Sequence, residues 1–146
     1  MRKALYGADL SAAIRADIKA AGIKGVTVKC KSYSGGQSIT ATIRTSPADY
    51  IDEVDYIAAY RVRGNWIDDG ERSVYSGDFY NMSAEEQERL RVAAARYEYA
   101  RFTTTKQELN QYHIGQYAHL TTAALERVQR VKAIIEAYRY GEPNVI

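Results

Sequence analysis

The sequence predicts an α+β fold in which an N-terminal helix packs on a β-hairpin or small antiparallel sheet, followed by helices ending in an antiparallel helical hairpin. Three observations carry this expectation. Residues 26–45 alternate apolar and polar on both sides of Gly35-Gly36, the pattern of two half-buried strands joined by a tight turn. Residues 9–21 carry Leu10, Ala13, Ile14, Ile18 and Ala21 at helical spacing, with Gly22 as a stop. Two longer stretches near the C-terminus repeat the helical period behind N-capping residues. At 146 residues a single domain accounts for the chain, with 1–80 an α-β-β-α subregion and 81–146 a helical one.

In chain order, the first helix is expected from Asp9 as N-cap, leading through Gly22-Ile23-Lys24-Gly25 straight into the hairpin. A turn at Gly35-Gly36 places Cys30 opposite Ala41 and Val28 opposite Ile43 on one face. The other face then holds Lys31 opposite Thr40, Lys29 opposite Thr42 and Thr27 opposite Arg44. Ser46-Pro47-Ala48-Asp49 reads as a helix start, with Tyr50, Ile51, Val54, Ile57 and Ala58 as its apolar stripe. Residues 64–81 are rich in Gly, Asp, Asn and Ser and read as loop, yet Trp66, Ile67, Val74, Phe79 and Tyr80 predict that the segment packs onto the domain. Candidates for a third strand are residues 60–63 and 72–75.

Ser83-Ala84-Glu85-Glu86 is a capping box, and Leu90, Ala93, Ala94, Tyr97 and Ala100 form the inward face of the helix behind it. Thr105-Lys106-Gln107-Glu108 offers a second box and a short helix to about Ile114. The last helix starts near Thr121 or Thr122, carries Leu125, Val128, Val131, Ile135 and Tyr138, and stops at Gly141. It is expected to pair with the helix beginning at residue 84.

The net charge of +2 conceals a polarity: residues 1–46 carry +6, residues 47–80 carry −5 and residues 81–146 carry +1. That balance excludes a wholly acidic mimic of nucleic acid and leaves two oppositely charged surfaces that either neutralise each other or meet partners. Cys30 is the single cysteine, so no intrachain disulfide forms, and its place on the apolar hairpin face suits a buried small hydrophobe in a reducing, cytoplasmic setting. No signal-like apolar run opens the chain and no window could span a membrane. Thirteen tyrosines against two Phe and one Trp suit shallow cores and interfaces, where a ring is buried and its hydroxyl reaches a partner.

Chemistry-bearing patterns are sparse. His113 and His119, six residues apart, fall on different helix faces and have no Cys or acid to complete a zinc pattern. Asp68, Asp69 and Glu71 lack calcium-loop spacing and read as a polar turn, and Ser34-Gly35-Gly36 is not followed by a phosphate-binding G-K-[ST]. No base stands beside a nucleophile in sequence. The expectation is a binding protein rather than an enzyme, with no cofactor and no metal.

Two surfaces are candidates. The acidic tract of Asp49, Asp52, Glu53, Asp55, Asp68 and Asp69 suits a basic groove on a host protein or ribonucleoprotein complex. Lys29, Lys31 and Arg44, standing among threonines with Tyr33 near the turn, offer an alternative nucleic-acid-binding face, although the same residues are ordinary on a solvated sheet.

The segments A-D-L-S-A-A-I-R-A-D-I-K and V-T-V-K-C-K-S-Y-S-G-G-Q-S-I-T-A-T-I, followed by Ser46-Pro47, resemble the start of a large polyvalent protein-associated domain, the family numbered twenty-nine. The resemblance covers about the first third of the chain and brings no catalytic residues. It implies an accessory protein of a phage or conjugative element, a setting in which small proteins oppose host defences of the CRISPR or restriction type.

Overall fold

Residues 5–33, 36–110 and 117–138 are described in a computed structural model, and their order confirms the α+β class. Helix α1 (Gly7–Ala20) leads into strands β1 (Val26–Tyr33) and β2 (Gly36–Arg44). A single 3-10 turn (Pro47–Asp49) precedes α2 (Glu53–Ala59). Strands β3 (Trp66–Asp68) and β4 (Ser73–Tyr75) run into a one-turn α3 (Ser76–Tyr80). Helix α4 (Ala84–Phe102), strand β5 (Lys106–Asn110) and α5 (Thr122–Glu136) complete the chain.

Helix α1 starts three residues earlier than expected, with Tyr6 rather than Asp9 at the N-cap, and presents Leu10, Ile14 and Ile18 to the sheet. Its end is where Gly22 predicts it. The Gly22 N–H donates to the Lys19 carbonyl (3.0 Å) and the Ile23 N–H to the Ile18 carbonyl (3.2 Å), a Schellman closure for which Gly22 adopts φ +77°. Ile23, buried at this closure, joins the core and turns the chain into β1.

The hairpin forms with the expected faces and a different register. Val28 pairs with Ala41, Cys30 with Ile39, Lys29 with Thr40 and Thr27 with Thr42, each two residues from the pairing that a Gly35-Gly36 turn requires. Gly36 is already a strand residue, paired with Tyr33; Ser34 and Gly35 lie outside the described residues. A shift of two preserves side-chain direction, so Val28, Ile39, Ala41 and Ile43 still point inward.

The third strand is β5, which pairs antiparallel with β2 and sets Leu109 opposite Ala41. Neither expected candidate joins this sheet: 73–75 belongs to the separate β3–β4 hairpin, and 60–63 is irregular. The helix expected from Thr105 is a strand over residues 106–110, and its continuation to Ile114 lies outside the described residues. Lys106, Gln107, Glu108 and Leu109 alternate exposed, half-buried, exposed and buried, and the open edge of β2 rewards that period of two over a weak capping box.

The helix predicted from Ser46 is interrupted. Asp49 Oδ2 accepts the Ser46 N–H (2.8 Å), but residues 49–51 then lie extended against 119–121. Tyr50 bridges to Leu120, the Ile51 N–H donates to the His119 carbonyl (3.0 Å) and the Thr121 N–H to the Asp49 carbonyl (2.9 Å). Helix α2 restarts at Glu53 in a new phase that buries Tyr56 and leaves Val54 70% exposed and Ala58 outside.

Half of the expected α4 box is in place: Ser83 Oγ accepts the Glu86 N–H (3.2 Å), while the Glu86 carboxylate accepts from the Ser83 hydroxyl (3.1 Å) rather than from the Ser83 N–H. Leu90, Ala94 and Ala95 are its buried residues, and Ala100 is exposed. Thr121 caps α5 through the Ala124 N–H (3.2 Å), and Ala124, Val128, Val131 and Ile135 face inward while Leu125 is half-buried.

The two long helices do not form a common hairpin core. Helix α5 lies behind the sheet against α1, β2 and β5, in a cluster with Ile14, Ile18, Ile39, Ile43 and Leu109. Helix α4 supplies Leu90 and Ala94 to a second cluster with Ile67, Val74 and Phe79. The inner sheet face offers more aliphatic surface than α4, whose sequence is polar and alanine-rich, so α5 buries its stripe there.

Candidate functional site

Residues 47–80 hold most of the exposed large apolar side chains among the described residues. Five large apolar side chains are exposed among the described residues, and four of them, Val54, Trp66, Tyr75 and Tyr80, lie in this segment of charge −5. The sequence placed Trp66 and Tyr80 in the packing of the segment. Instead Ile67, Val74 and Phe79 are buried, and both of those rings face solvent. On a short antiparallel hairpin only one face reaches α4, and Ile67 and Val74 occupy it, which turns Trp66 and Tyr75 outward.

Around this segment the acidic residues divide by partner. Asp69 Oδ1 accepts the N–H groups of Glu71 and Arg72 (both 2.9 Å), and its carboxyl lies 3.5 Å from the Arg72 guanidinium. Those backbone donors, with Arg72, hold the Asp69 carboxyl below the usual carboxylate range. Asp68 Oδ1 takes the Gly70 N–H (2.9 Å), so D-D-G-E builds a turn as its composition predicts. Asp49 lies 3.9 Å from Arg127, and Glu53 is 4.0 Å from Arg96. Asp52, at the N-cap of α2, and Asp55 are exposed and join no ion pair among the described residues.

Consecutive residues of α4 tie the two acidic stretches together. Arg96 meets Glu53 of α2, while the Tyr97 ring lies against the β3–β4 turn so closely that a Cβ on Gly70 would stand 2.7 Å from it. Gly70 also adopts φ +92°, so both its backbone and its lack of a side chain are used. Glu53 and the Asp68-Asp69 turn are thereby brought to the C-terminal half of α4, whereas Asp49 lies beside Arg127 of α5.

The opposite candidate face is the outer side of the sheet. Lys29, Lys31 and Arg44 are exposed there, and the Tyr33 side chain lies outside the described residues. Strand β5 adds what sequence reasoning missed: Lys106 opposite Arg44 and Glu108 opposite Thr42. Thr27, Thr42, Arg44, Thr105 and Lys106 line an open concavity of about 610 Å³ at that end of the sheet. The sequence puts Lys106 in a helical cap, and only the pairing of β5 with β2 gives its place on the sheet.

Polar side chains inside the fold are engaged in internal ties. His119 is 2% exposed, its Nε2 lies 2.8 Å from Gln107 Oε1, and its ring contacts those of Tyr50 and Phe102. Because the amide oxygen accepts, Nε2 carries the proton; Nδ1 is buried without a partner among the described residues, and burial pushes the imidazole below its ordinary pKa. His113 lies outside the described residues. The Tyr56 hydroxyl donates to Glu98, which also meets Arg63 at 2.5 Å, and burial followed by that hydrogen bond pushes the phenol up. Such a phenol stays protonated as a donor, opposite to what a general base needs.

Cys30 is half-buried, and burial raises its thiol pKa against the pull of Arg15, which keeps it in the poorly nucleophilic thiol form. Among the described residues no three His, Cys, Asp or Glu side chains gather as a metal site, and no helix is long and apolar enough to cross a membrane. No protein family, curated protein or solved structure matches the chain.

Proposed function

We propose that this chain is a non-enzymatic binding protein whose acidic, aromatic-bearing segment from 47 to 80 docks on a basic surface of a protein or ribonucleoprotein complex. The observation that carries it is the coincidence of negative charge with exposed Val54, Trp66, Tyr75 and Tyr80, since Trp and Tyr dominate binding energy at interfaces and complementary charge selects the partner. The resemblance read in the first third of the sequence, for which no family model gives a match, suggests the biological setting we propose: an accessory protein of a phage or plasmid that inhibits a host defence complex of the anti-CRISPR or anti-restriction type by occlusion.

Capture from host lysate, compared between wild type, Asp52→Lys/Asp55→Lys and Lys29→Ala/Lys31→Ala/Arg44→Ala, tests the proposal. The expected result is a complex lost in the acidic variant and retained in the basic one. One alternative is nucleic-acid binding on the outer sheet face, where β5 sets Lys106 beside Arg44, although Glu108 on the same face offsets its charge. Tight binding of isolated DNA or RNA, weakening steeply with salt and losing about one logarithmic slope unit per removed cation, would establish that alternative and overturn the first.

A further inference from the structure

We infer that the outward face of the β3–β4 hairpin is a seat for an arginine side chain of the partner, with Trp66 and Tyr75 as its aromatic walls and Asp68 as the carboxylate beside them. This deepens the proposal above and rests on it. Register places Trp66 directly opposite Tyr75 and Asp68 opposite Ser73, and these four side chains share the face turned away from buried Ile67 and Val74. The pair is displayed at 63% exposure for Trp66 and 49% for Tyr75. Their ring centroids are 5.5 Å apart at an interplanar angle of 63°, an edge contact that leaves an aromatic face open.

The seat is built in advance of any partner. The Ser76 N–H donates to the Asn65 carbonyl (2.8 Å) and closes the open end of the hairpin, while the Asp69 turn closes the other. A Cβ on Gly77 would stand 2.6 Å from Tyr75 Cε2, so the Tyr75 ring leans on the one residue type that leaves it room. Side chains held on paired strands lose little further freedom when they bind.

Two features select a cation, and arginine among cations. Elsewhere the chain covers tyrosines with its own guanidinium groups, Arg63 over Tyr60 at 5.7 Å and Arg101 over Tyr97 at 5.1 Å. Among the described residues none covers Trp66 or Tyr75. Asp68 spends Oδ1 on the Gly70 N–H and keeps Oδ2 unbonded among the described residues, and Glu71 and Asp78 are exposed nearby in the chain. Arg72 is drawn to Asp69. A planar guanidinium stacks on an indole and forks to a carboxylate at once, which an ammonium does not, and the same acids repel a phosphate backbone.

Trp66 is the single tryptophan, so its emission reports on this face directly. The full chain is titrated with an oligoarginine peptide, an oligolysine peptide of equal length and oligothymidylate, with labelled-peptide anisotropy as a second readout. The expected result is a saturable change in Trp66 emission with oligoarginine binding tighter than oligolysine. Tyr75→Ala and Asp68→Asn should each weaken it by about threefold to tenfold, with Tyr75→Phe as wild type.

Equal affinity for both cationic peptides, unaffected by Tyr75→Ala, overturns the seat. Anisotropy showing peptide binding that leaves Trp66 emission unchanged and is lost in Asp52→Lys/Asp55→Lys also overturns it, while sustaining the acidic docking surface. Saturation by oligothymidylate overturns it in favour of base stacking, and failure of both peptides to bind overturns the seat and the docking surface together.

Discussion

The two hydrophobic clusters of this protein are built on different terms. The cluster beneath the three-stranded sheet joins α1, β1, β2, β5 and α5 through side chains that are almost all aliphatic, and Ile14, Ile39, Ile43, Val131 and Ile135 within it are fully buried. The cluster between α4 and the β3–β4 hairpin has five buried members among the described residues, rests on a two-stranded sheet, and is ringed by tyrosines, Arg–Glu pairs and exposed aromatics. A hairpin of two strands is marginal without a covering element, so the second region depends on α4 and on polar ties such as Tyr56–Glu98–Arg63. The first region has the larger aliphatic core, and the second combines a smaller core with exposed Trp66, Tyr75 and Tyr80.

Truncating the centre of each cluster gives the largest expected effect. Ile43→Ala should lower unfolding free energy by about 2 to 5 kcal/mol, seen as a lower urea midpoint with an unchanged slope. Ile67→Ala should cost less globally and act locally, raising hydrogen exchange at β3, β4 and α3 amides before those of β1 and β2. If both variants unfold everywhere together and at one midpoint, the clusters form one cooperative unit and the contrast fails.

The next effect in size tests how tightly the second region is assembled. Gly70→Ala should cost about 1 to 3 kcal/mol because it strains a left-handed residue and pushes a methyl into the Tyr97 ring. A double-mutant cycle with Tyr97→Ala separates the two contributions, the steric part vanishing and the backbone part persisting. Complete additivity would show that the ring simply moves aside.

The smallest effect concerns the seam where residues 49–51 meet 119–121. Burial holds the folded His119 pKa below the ordinary 6.5, so as pH falls the unfolded chain takes up its proton first. The stability contributed by neutral His119 is therefore present above about pH 6.5 and lost as pH drops from there toward the depressed folded value. Urea midpoints at about pH 7.5 and about pH 5.5 should differ more in wild type than in His119→Gln. Equal pH dependence in the two proteins would place the titrating group elsewhere.

Much of this fold was legible in short windows of sequence. The alternation of Val28, Cys30, Ile39, Ala41 and Ile43, the period of Leu10, Ile14 and Ile18, the Gly22 stop and the Ser83 and Thr121 caps all act within a few residues. The hydrogen bonds of the Gly22 stop and of the two caps close inside the same windows. The candidate site was legible as composition: the acids of 47–80 were visible, as was the turn that Asp68 and Asp69 build.

Its geometry was not legible. Trp66 and Ile67 are equally apolar neighbours, and which one faces solvent is decided by α4 covering one side of the hairpin.

What the sequence by itself determined, then, is each element whose satisfaction is local: helix α1, the two alternating strands with their inner face, and the starts of α4 and α5. Tertiary structure alone decided the recruitment of Lys106–Asn110 as third strand and the break between Asp49 and Glu53. It also decided the commitment of α5 to the sheet rather than to α4. Each of those choices sets a modest local preference, such as a capping box or a continuous helical period, against hydrogen bonds and apolar area supplied by a distant part of the chain. A weak helical propensity over five residues yields where an unpaired β2 edge and a buried place for Leu109 are on offer.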